Sequence, residues 1–483
     1  MNIQEVPLLK DQSVPGRRAV VLPKIDVPRT DVPADLLREE LKLPEMDELS
    51  VVRHFTLLSQ RNFSIDGQFY PLGSCTMKYN PKMNEEAASL GGFRRTHPLL
   101  PETMTQGALG LLYHLQEALR NLTGFKAVTL QPAAGAQGEL TGVLMIRSYH
   151  VDRGQKERLR MLIPDSAHGT NPASCTMAGL VAETIPSNPE GGVDLDALRA
   201  ACAGEKGKTV AGLMITNPST LGLFEKNIQE VVSIVHNAGG LVYGDGANMN
   251  ALVGIVKPAD LGFDVLHLNL HKTFSTPHGG GGPGAGAVAV NAALEPFLPG
   301  PIATAQGDTV TFVWPKKSIG KVKSFHGNFG VLVRAYAYIL TLGREGLRRV
   351  AEYAVLNANY LRALVAEAYP AVYGEGRWNM HEFVASPDLG NGVHTLDIAK
   401  RLIDYGFHPP TIYFPLIVKE ALMVEPTETE SPETLRAFAD ALLKIAEEGR
   451  TNPELLKMAP YHTPVGRLDE TAAARKPVLC YRD

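Results

Sequence analysis

The feature that most constrains the fold is an alternation of short, mostly apolar segments with helical segments between residues 159 and 290. Strands that alternate with helices in this way predict a mostly parallel sheet, buried on both faces by the helices. The apolar strand candidates are residues 159–163, 181–185, 210–215, 241–243, 265–270 and 285–290. The helical candidates between them are residues 138–147, 171–180 and 228–237. The sequence therefore predicts an α/β fold.

The parts of the chain on either side of this region differ from it in composition. Residues 1–100 are rich in proline and predict an extended N-terminal arm, with one helical stretch near residues 35–60. Such an arm cannot bury itself, so we expect it to lie across the body of the protein or across a partner chain. Residues 101–343 form the predicted large domain, residues 344–450 a smaller α+β domain, and residues 451–483 a polar C-terminal tail.

Further elements are predicted inside these regions from apolar spacing. Leucines recur at helical spacing over residues 104–121, and residues 330–367 form a long helical region interrupted near residue 343. The strand and helix candidates of the small domain are residues 382–385, 395–405, 422–424 and 432–448.

Charge and cysteine content exclude several classes of function. A net charge of −4 gives no basic surplus for nucleic acid, and no apolar run approaches the ~20 residues of a membrane-spanning helix. The N-terminus lacks the apolar core of a signal peptide, so we expect a cytoplasmic protein. The four cysteines form no C-x-x-C pair and the histidines no helical H-x-x-x-H pair, so we expect neither a disulfide framework nor a metal site.

Lys272 stands out because it follows an apolar strand candidate and precedes the glycine-rich run at residues 279–286. A lysine at a strand end beside a flexible turn can form a Schiff base with a carbonyl cofactor. A solvated lysine at a strand end is the commoner arrangement when such a residue occurs alone. The adjacent His271 could move protons in such a site.

Three upstream features change the interpretation of Lys272. Small residues at 134–136 open a predicted helix whose N-terminal amides favour a phosphate, although small residues there are also common packing chemistry. His168 follows a strand and could stack on a flat ring or cap the next helix. Asp245 ends an apolar strand, where a protonated ring nitrogen, a helix cap or a salt bridge would satisfy it. Their order along the chain predicts a pyridoxal 5'-phosphate site.

Longer motifs make the chain similar to a known group of enzymes. It resembles the fold-type I pyridoxal-phosphate enzymes and, more narrowly, the family of glycine dehydrogenase (decarboxylating) subunit 2, part of the P-protein of the glycine cleavage system. The resemblance covers nearly the whole chain. Its most specific stretches are residues 69–81, 131–139, 165–172, 269–278, 380–383 and 463–470.

The resemblance implies roles for individual residues. Lys272 would carry the covalent link to the cofactor, His168 would stack on its ring, and Asp245 would pair with the ring nitrogen. Ala247 would pack beneath the ring, and the backbone of Ala134, Gly135 and Ala136 would contact the phosphate. The substrate would be glycine, whose carboxylate leaves as CO2. The aminomethyl group would pass to the lipoyl arm of the H protein.

The resemblance also implies an assembly, a heterotetramer of two copies each of subunits 1 and 2. A strong arginine clamp on the departing carboxylate would stabilise the ground state and slow decarboxylation. We therefore expect a small, dry pocket shaped by Ser74, Cys75 and Thr76, although a simply packed thiol is the commoner situation for Cys75.

Two other functions stay open at this point. A cysteine desulfurase or a serine hydroxymethyltransferase-like enzyme would use the same cofactor, but no cysteine lies in a loop after Lys272 where a desulfurase needs one. A catalytically silent scaffold would be expected to lack the lysine, which is present.

Overall fold

The computed structural model describes residues 6–280, 282 and 284–480. Two members of the glycine-rich run, Gly281 and Pro283, and residues 481–483 of the predicted tail lie outside the described residues. Within the described part of the chain, every helix is too short or too polar to cross a membrane.

A seven-stranded sheet forms the centre of the fold. Its strands are β1 Ala127–Thr129, β2 Arg160–Pro164, β3 Val181–Ile185, β4 Val210–Thr216, β5 Leu241–Gly246, β6 Val265–Asn269 and β7 Gly286–Val290. Their order is β1-β7-β6-β5-β4-β2-β3, and only β7 runs antiparallel to its neighbours. The α/β prediction and all six predicted strands are confirmed, and β1 was not predicted.

Two smaller sheets follow along the chain. Strands β8 Ile302–Gln306 and β9 Thr309–Val313 form an antiparallel hairpin. A three-stranded antiparallel sheet has the order β10-β12-β11, with β10 Phe383–Ala385, β11 Thr411–Ile412 and β12 Leu422–Val424. The strand predictions near residues 382–385 and 422–424 are confirmed.

Helices pack against the seven-stranded sheet and against the three-stranded sheet. The α-helices follow in chain order. They are α1 Glu48–Ser59, α2 Lys82–Ser89, α3 Gly91–Arg94, α4 Gln106–Thr123, α5 Gly135–Asp152, α6 Thr170–Met177, α7 Leu195–Cys202, α8 Gly204–Gly207, α9 Ile228–Asn237, α10 Leu270–Thr273, α11 Phe329–Val365, α12 Thr395–Asp404, α13 Pro432–Thr451, α14 Pro453–Lys457 and α15 Glu470–Arg475. The long helix α11 is broken at Gly343, where φ is 58°. Gly343 lies at the predicted boundary between the two domains, and the domain division itself stays a prediction.

One helix prediction was wrong in extent, and two helices of the C-terminal tail were not predicted. The helix predicted over residues 35–60 begins only at Glu48, because the side chain of Asp47 caps it by accepting from the amide of Ser50 at 2.9 Å. The tail after residue 451 contains α14 and α15, which start at Pro453 and after the capping residue Asp469. These helices are too short to show an apolar period in the sequence.

Both faces of the large sheet are buried, which explains the apolar runs. Successive residues of β4 belong to opposite cores: Leu213 lies in the apolar cluster that includes residues of α4, α9 and α11, and Met214 lies in the cluster that includes residues of α5 and α6. A separate apolar cluster joins the small sheet to α12, α13 and the second half of α11. The carboxyl end of β5 faces the region between the large sheet and the small sheet, where Asn248 after β5 donates to Glu382 beside β10.

The N-terminal arm crosses this region. Most residues between 16 and 45 are exposed, whereas the later segment contributes buried side chains such as Phe69, Thr76 and Lys78. Leu72 forms a bridge to Val424 of the small sheet. The later part of the arm therefore lies across the body of the chain, which is one of the two placements expected from the sequence.

Candidate functional site

Lys272 lies where the large sheet, the arm and the small sheet meet. Strand β6 ends at Asn269, so Lys272 stands in the helical turn α10 rather than on the strand end, and this part of the prediction was wrong. The residue is 8% exposed, and its Nζ donates a 2.7 Å hydrogen bond to the carbonyl oxygen of Ser74. A buried ammonium with a backbone partner is held in place and shielded from water.

Asp245 lies next to the end of the neighbouring strand β5 and is 3% exposed. Its carboxylate accepts from the amide of Ala247 at 2.9 Å and from Nδ2 of Asn171 at 3.2 Å. Burial opposes ionisation, but the charge of His267, the Ala247 amide and the charge of Lys272 together hold the pKa of Asp245 below its usual value. Asp245 is therefore an anion ready to meet a cationic group.

A polar network lies behind Asp245. Nε2 of His267 is 3.4 Å from Oδ1 of Asp245, and its Nδ1 is 2.8 Å from the hydroxyl of Tyr243. Glu139 of α5 is also buried here and accepts from Thr170 at 2.9 Å. Burial, followed by the nearby charge of Asp245, raises the pKa of Glu139. Negative charge in this network is therefore concentrated on Asp245.

The N-terminus of α5 offers backbone amides to a ligand. The helix has 18 residues, begins at Gly135, and receives no side-chain cap from Ala134. A Cβ on Gly135 would stand 2.6 Å from Oδ1 of Asn269, and a Cβ on Gly286 would stand 2.0 Å from the carbonyl oxygen of Ala134. The close packing fixes the first turn, including Ala136, against the ends of β6 and β7. An uncapped, rigid helix start of this length suits a phosphate.

The histidines named from the sequence differ in their surroundings. His168 is exposed, with Nδ1 3.0 Å from the Thr170 hydroxyl and its ring edge-on to Phe414 at 5.4 Å. His271 accepts from the amide of Ala285 at 3.3 Å through Nδ1. Burial, with a smaller contribution from the charge of Lys272, lowers the pKa of His271 to about 3, so this ring is neutral at ordinary pH.

The three arm residues proposed for the pocket lie beside Lys272. Ser74 has φ 61°, an unusual conformation for a residue with a side chain. Its amide donates to Oε2 of Glu382 at 2.8 Å, and the Thr76 hydroxyl donates to Oε1 of Glu425 at 2.5 Å. Cys75 lies between them, and burial raises the pKa of its thiol. The backbone of the arm thus connects Lys272 to two buried carboxyl groups.

Four polar residues near Lys272 were missed in the sequence. Glu382 and Glu425 are fully buried, as is His381, and Lys78 forms a 2.6 Å ion pair with Glu428. Each glutamate adjoins an apolar strand of the small sheet, β10 or β12. Asp245 was predicted to be functional because it is a carboxylate at the end of an apolar strand. Glu425 directly follows the apolar strand β12, so the same criterion could have identified it.

These residues can hold a flat, anionic aldehyde. Lys272 supplies a buried amine, Asp245 an anion, and the start of α5 a set of free amides. Ala247, two residues after Asp245, donates its amide hydrogen bond to the Asp245 carboxylate. The distribution of charge fits the cofactor predicted from the sequence, with a cationic ring nitrogen at one end and a phosphate at another.

Sequence comparison places the chain among proteins of similar length. It is 57% identical over 480 residues to a protein of Caldanaerobacter subterraneus subsp. tengcongensis named "Probable glycine dehydrogenase (decarboxylating) subunit 2", covering 98% of each chain. It is 55% identical to the Halalkalibacterium halodurans protein of the same name, covering 100% of this chain and 99% of that one. The family described as glycine dehydrogenase, C-terminal domain, matches residues 350–458.

Solved structures share the fold. A crystal structure of glycine decarboxylase (P-protein) of the glycine cleavage system, in inhibitor-bound form, has a TM-score of 0.71 at 21% identity and covers 86% of this chain and 93% of its own. A cysteine desulfurase from Escherichia coli has a TM-score of 0.60 at 16% identity, covering 79% and 95%. A Lactobacillus brevis glutamate decarboxylase has a TM-score of 0.65 at 12% identity, covering 87% and 96%. The fold-type I architecture is confirmed.

Proposed function

The chain belongs to the family of glycine dehydrogenase (decarboxylating) subunit 2, and on this basis we propose that it is the subunit of the glycine cleavage P-protein that binds pyridoxal 5'-phosphate and decarboxylates glycine. The observation that carries the proposal is the meeting of Lys272, in the helical turn after β6, with Asp245, near the end of β5, in a chain of this family. Buried amine and buried carboxylate act on each other electrostatically there.

Named residues would hold the cofactor. Lys272 would bind it covalently through Nζ, Asp245 would pair with the ring nitrogen, and the amides of Ala134, Gly135 and Ala136 would bind its phosphate. His168 would stack on the ring and Ala247 would lie beneath it. When bound, pyridoxal phosphate supplies an electron sink for the electron pair left by CO2.

The residues of the chain prepare this chemistry. The carbonyl of Ser74 orients Nζ of Lys272, and the arm segment of Ser74, Cys75 and Thr76 covers the site and excludes water. Asn171 and Ala247 hold the carboxylate of Asp245 in position. His271, kept neutral by burial, can accept a proton from a neighbouring group only transiently. A dry site with small arm side chains favours loss of the carboxylate.

The proposal includes partners. The aminomethyl group passes to the lipoyl disulfide of the H protein, and subunit 1 completes a heterotetramer of two copies of each subunit in the cytoplasm. The bacterial relatives are each named as a subunit 2, which supports a partner subunit 1.

Isotope exchange tests the function. Purified chain, subunit 1 and lipoylated H protein are incubated with glycine and labelled bicarbonate. We expect label in the glycine carboxyl group only when the lipoyl carrier is present. Absence of exchange in the complete mixture would contradict the proposal, and formation of formaldehyde-level carbon from serine without CO2 release would favour a hydroxymethyltransferase. Glycine binding can be measured separately, through glycine-dependent changes in the visible absorbance of the cofactor.

A further inference from the structure

The motif at residues 380–383 places a buried histidine and a buried glutamate beside the proposed cofactor site. Potential ligand atoms of His381, Glu382 and Glu425 lie within 4.8 Å of one another, and all three residues are at most 1% exposed. Two carboxyl groups this close and this dry cannot both ionise without strong compensation. The proposed function assigns neither of them a role.

The hydrogen bonds distinguish the two carboxyl groups. Both oxygens of Glu382 accept from N–H groups, the amide of Ser74 at 2.8 Å and Nδ2 of Asn248 at 3.3 Å, which is the pattern of a carboxylate. In Glu425, Oε1 accepts from Thr76 at 2.5 Å and from Asn250 at 3.4 Å. Its Oε2 is buried and has no partner among the described residues. A buried oxygen without a partner disfavours the charged form of the carboxyl group, and a proton on this oxygen would be free to meet a ligand.

The charge of Glu382 favours a proton on Glu425, whereas the charges of Lys272 and Lys78 oppose it. The charged or titratable groups that face the cluster are Lys272 from α10, Lys78 and Cys75 from the arm, His381 beside β10, and Glu428 after β12. Lys78 is paired with Glu428 at 2.6 Å, and Lys272 is committed to the cofactor.

Burial lowers the pKa of His381 to about 3, so this ring supplies no positive charge. Burial raises the pKa of Glu382 to about 7, and burial together with the charge of Glu382 raises that of Glu425 well above its usual value.

We propose that Glu425 is the proton donor of this site: it holds a proton on Oε2 and donates it to the sulfur released when a lipoyl disulfide takes up the aminomethyl group. The inference rests on the proposed function. The hydroxyl of Thr76 holds Oε1 of Glu425 in position by a hydrogen bond. The negative charge of Glu382 beside it keeps the proton on Glu425.

The overall reaction needs such a donor. The electron pair left on the glycine carbon by CO2 forms a carbon–sulfur bond, and the sulfur–sulfur bond breaks. The second sulfur leaves with the electron pair of that bond as a thiolate, so the carbon is oxidised and the disulfide reduced. The thiolate takes the proton of Glu425, which becomes a carboxylate. Solvent returns one proton to Glu425 after the lipoyl arm departs, and one proton is consumed per turnover.

Infrared spectroscopy of the holoenzyme tests where the proton resides. At pH 8 we expect the carbonyl band of a protonated carboxylic acid, shifted in D2O. Glu425→Gln should lose this band, whereas in Glu382→Gln the band should remain at low pH and disappear at a lower pH than in the wild type, because the neighbouring negative charge is gone. Glu430→Gln is the matched control, because Glu430 lies in the same segment outside the cluster and should leave the band unchanged. A band that persists in Glu425→Gln, or that disappears at the same pH in Glu382→Gln as in the wild type, overturns the assignment of the proton to Glu425 beside a charged Glu382.

Turnover tests the donation itself. With subunit 1 and lipoylated H protein, Glu425→Gln should lower lipoyl-dependent CO2 release by about 100-fold or more, while glycine still changes the absorbance of the cofactor. Glu425→Asp should recover part of the rate and retain the loss of activity at high pH, which Glu425→Gln should lack.

Near-normal release by folded Glu425→Gln contradicts the donation. No lipoyl-dependent release by the wild type overturns the proposed function and the sulfur step together, and the infrared result then still decides whether Glu425 holds the proton.

Discussion

Nζ of Lys272 donates a 2.7 Å hydrogen bond to the carbonyl oxygen of Ser74, a residue 198 positions earlier in the chain. The amide of the same Ser74 donates to Glu382 at 2.8 Å. One residue of the arm, with φ 61°, therefore fixes the amine on one side and a buried carboxylate on the other. The unusual backbone conformation of Ser74 lies at the candidate functional site, and backbone strain at such sites commonly serves function.

Replacement of the lysine separates chemistry from folding. Lys272→Ala should abolish turnover and the visible absorbance of the covalently bound cofactor, with little change in melting temperature, because Lys272 contributes one backbone hydrogen bond and little packing. Borohydride reduction followed by peptide mapping should label Lys272 in the wild type. Lys257→Ala, at an exposed lysine, serves as the control. Labelling of another lysine, or none, would favour the scaffold function.

The carboxylate beside β5 should be needed in its ionised form. Asp245→Asn should lower glycine turnover on the order of 100-fold, because a neutral amide no longer favours a protonated ring nitrogen. Asp264→Asn is the matched control: Asp264 is buried just before β6 and accepts from His236 and Asn291 at 2.8 and 2.6 Å. That change should lower stability and leave the cofactor spectrum intact. Near-normal turnover of Asp245→Asn would refute its role.

A methyl group added at Gly286 should displace the start of α5, which is the proposed phosphate site. Gly286→Ala would place a Cβ 2.0 Å from the carbonyl oxygen of Ala134, a backbone atom that cannot move without shifting the start of α5. We expect a loss of about 1–3 kcal/mol in unfolding free energy and a weaker affinity for pyridoxal phosphate in an absorbance titration. Gly110→Ala, inside α4 with nothing within 4 Å of its Cβ, should be neutral or stabilising. Unchanged affinity in Gly286→Ala would contradict this placement.

The half-buried Glu430 predicts a pH effect on stability. Burial raises the pKa of Glu430 to about 7 in the folded chain, above its ordinary value of 4.5. The folded state therefore binds the proton more tightly, and this residue makes folding less favourable as pH rises from 4.5 through 7. Glu430→Gln should raise the melting temperature at pH 8, with a gain that shrinks toward pH 5. Glu447→Gln, at an exposed glutamate of α13, should show no such trend.

Arg467 should matter for the stability of the C-terminal tail. Its Nη2 donates to Oδ1 of Asp397 at 2.7 Å and to the carbonyl of Leu456 at 2.9 Å, which ties the tail to α12 and α14. Arg467→Ala should cost about 1–3 kcal/mol in denaturant unfolding and leave the cofactor absorbance unchanged. Arg475→Ala, at an exposed residue of α15, is the control. An altered spectrum in Arg467→Ala would instead connect the tail to the active site.

The sequence predicts the large sheet well because its strands are local apolar runs and its helices have local periods. The three-residue strand β1 is too short to produce such a signal, and nothing in the composition of β7 indicates its reversed direction. For the site, Lys272 follows the apolar strand β6 and Asp245 lies near the end of β5, so both can be recognised as charges in apolar surroundings. The roles of Glu382 and Glu425 depend on contacts with Ser74 and Thr76 that are remote in sequence, so spacing alone cannot reveal them.

The contact between Thr76 and Glu425 has a consequence for biosynthesis. The two residues are 349 positions apart, and at 5–20 residues per second a ribosome needs roughly 20–70 s to add the residues between them. Lys272 emerges well before Glu425, so a nascent chain carries a reactive amine and its covering arm segment without the acid. Productive loading of the cofactor is therefore an event that follows the completion of translation.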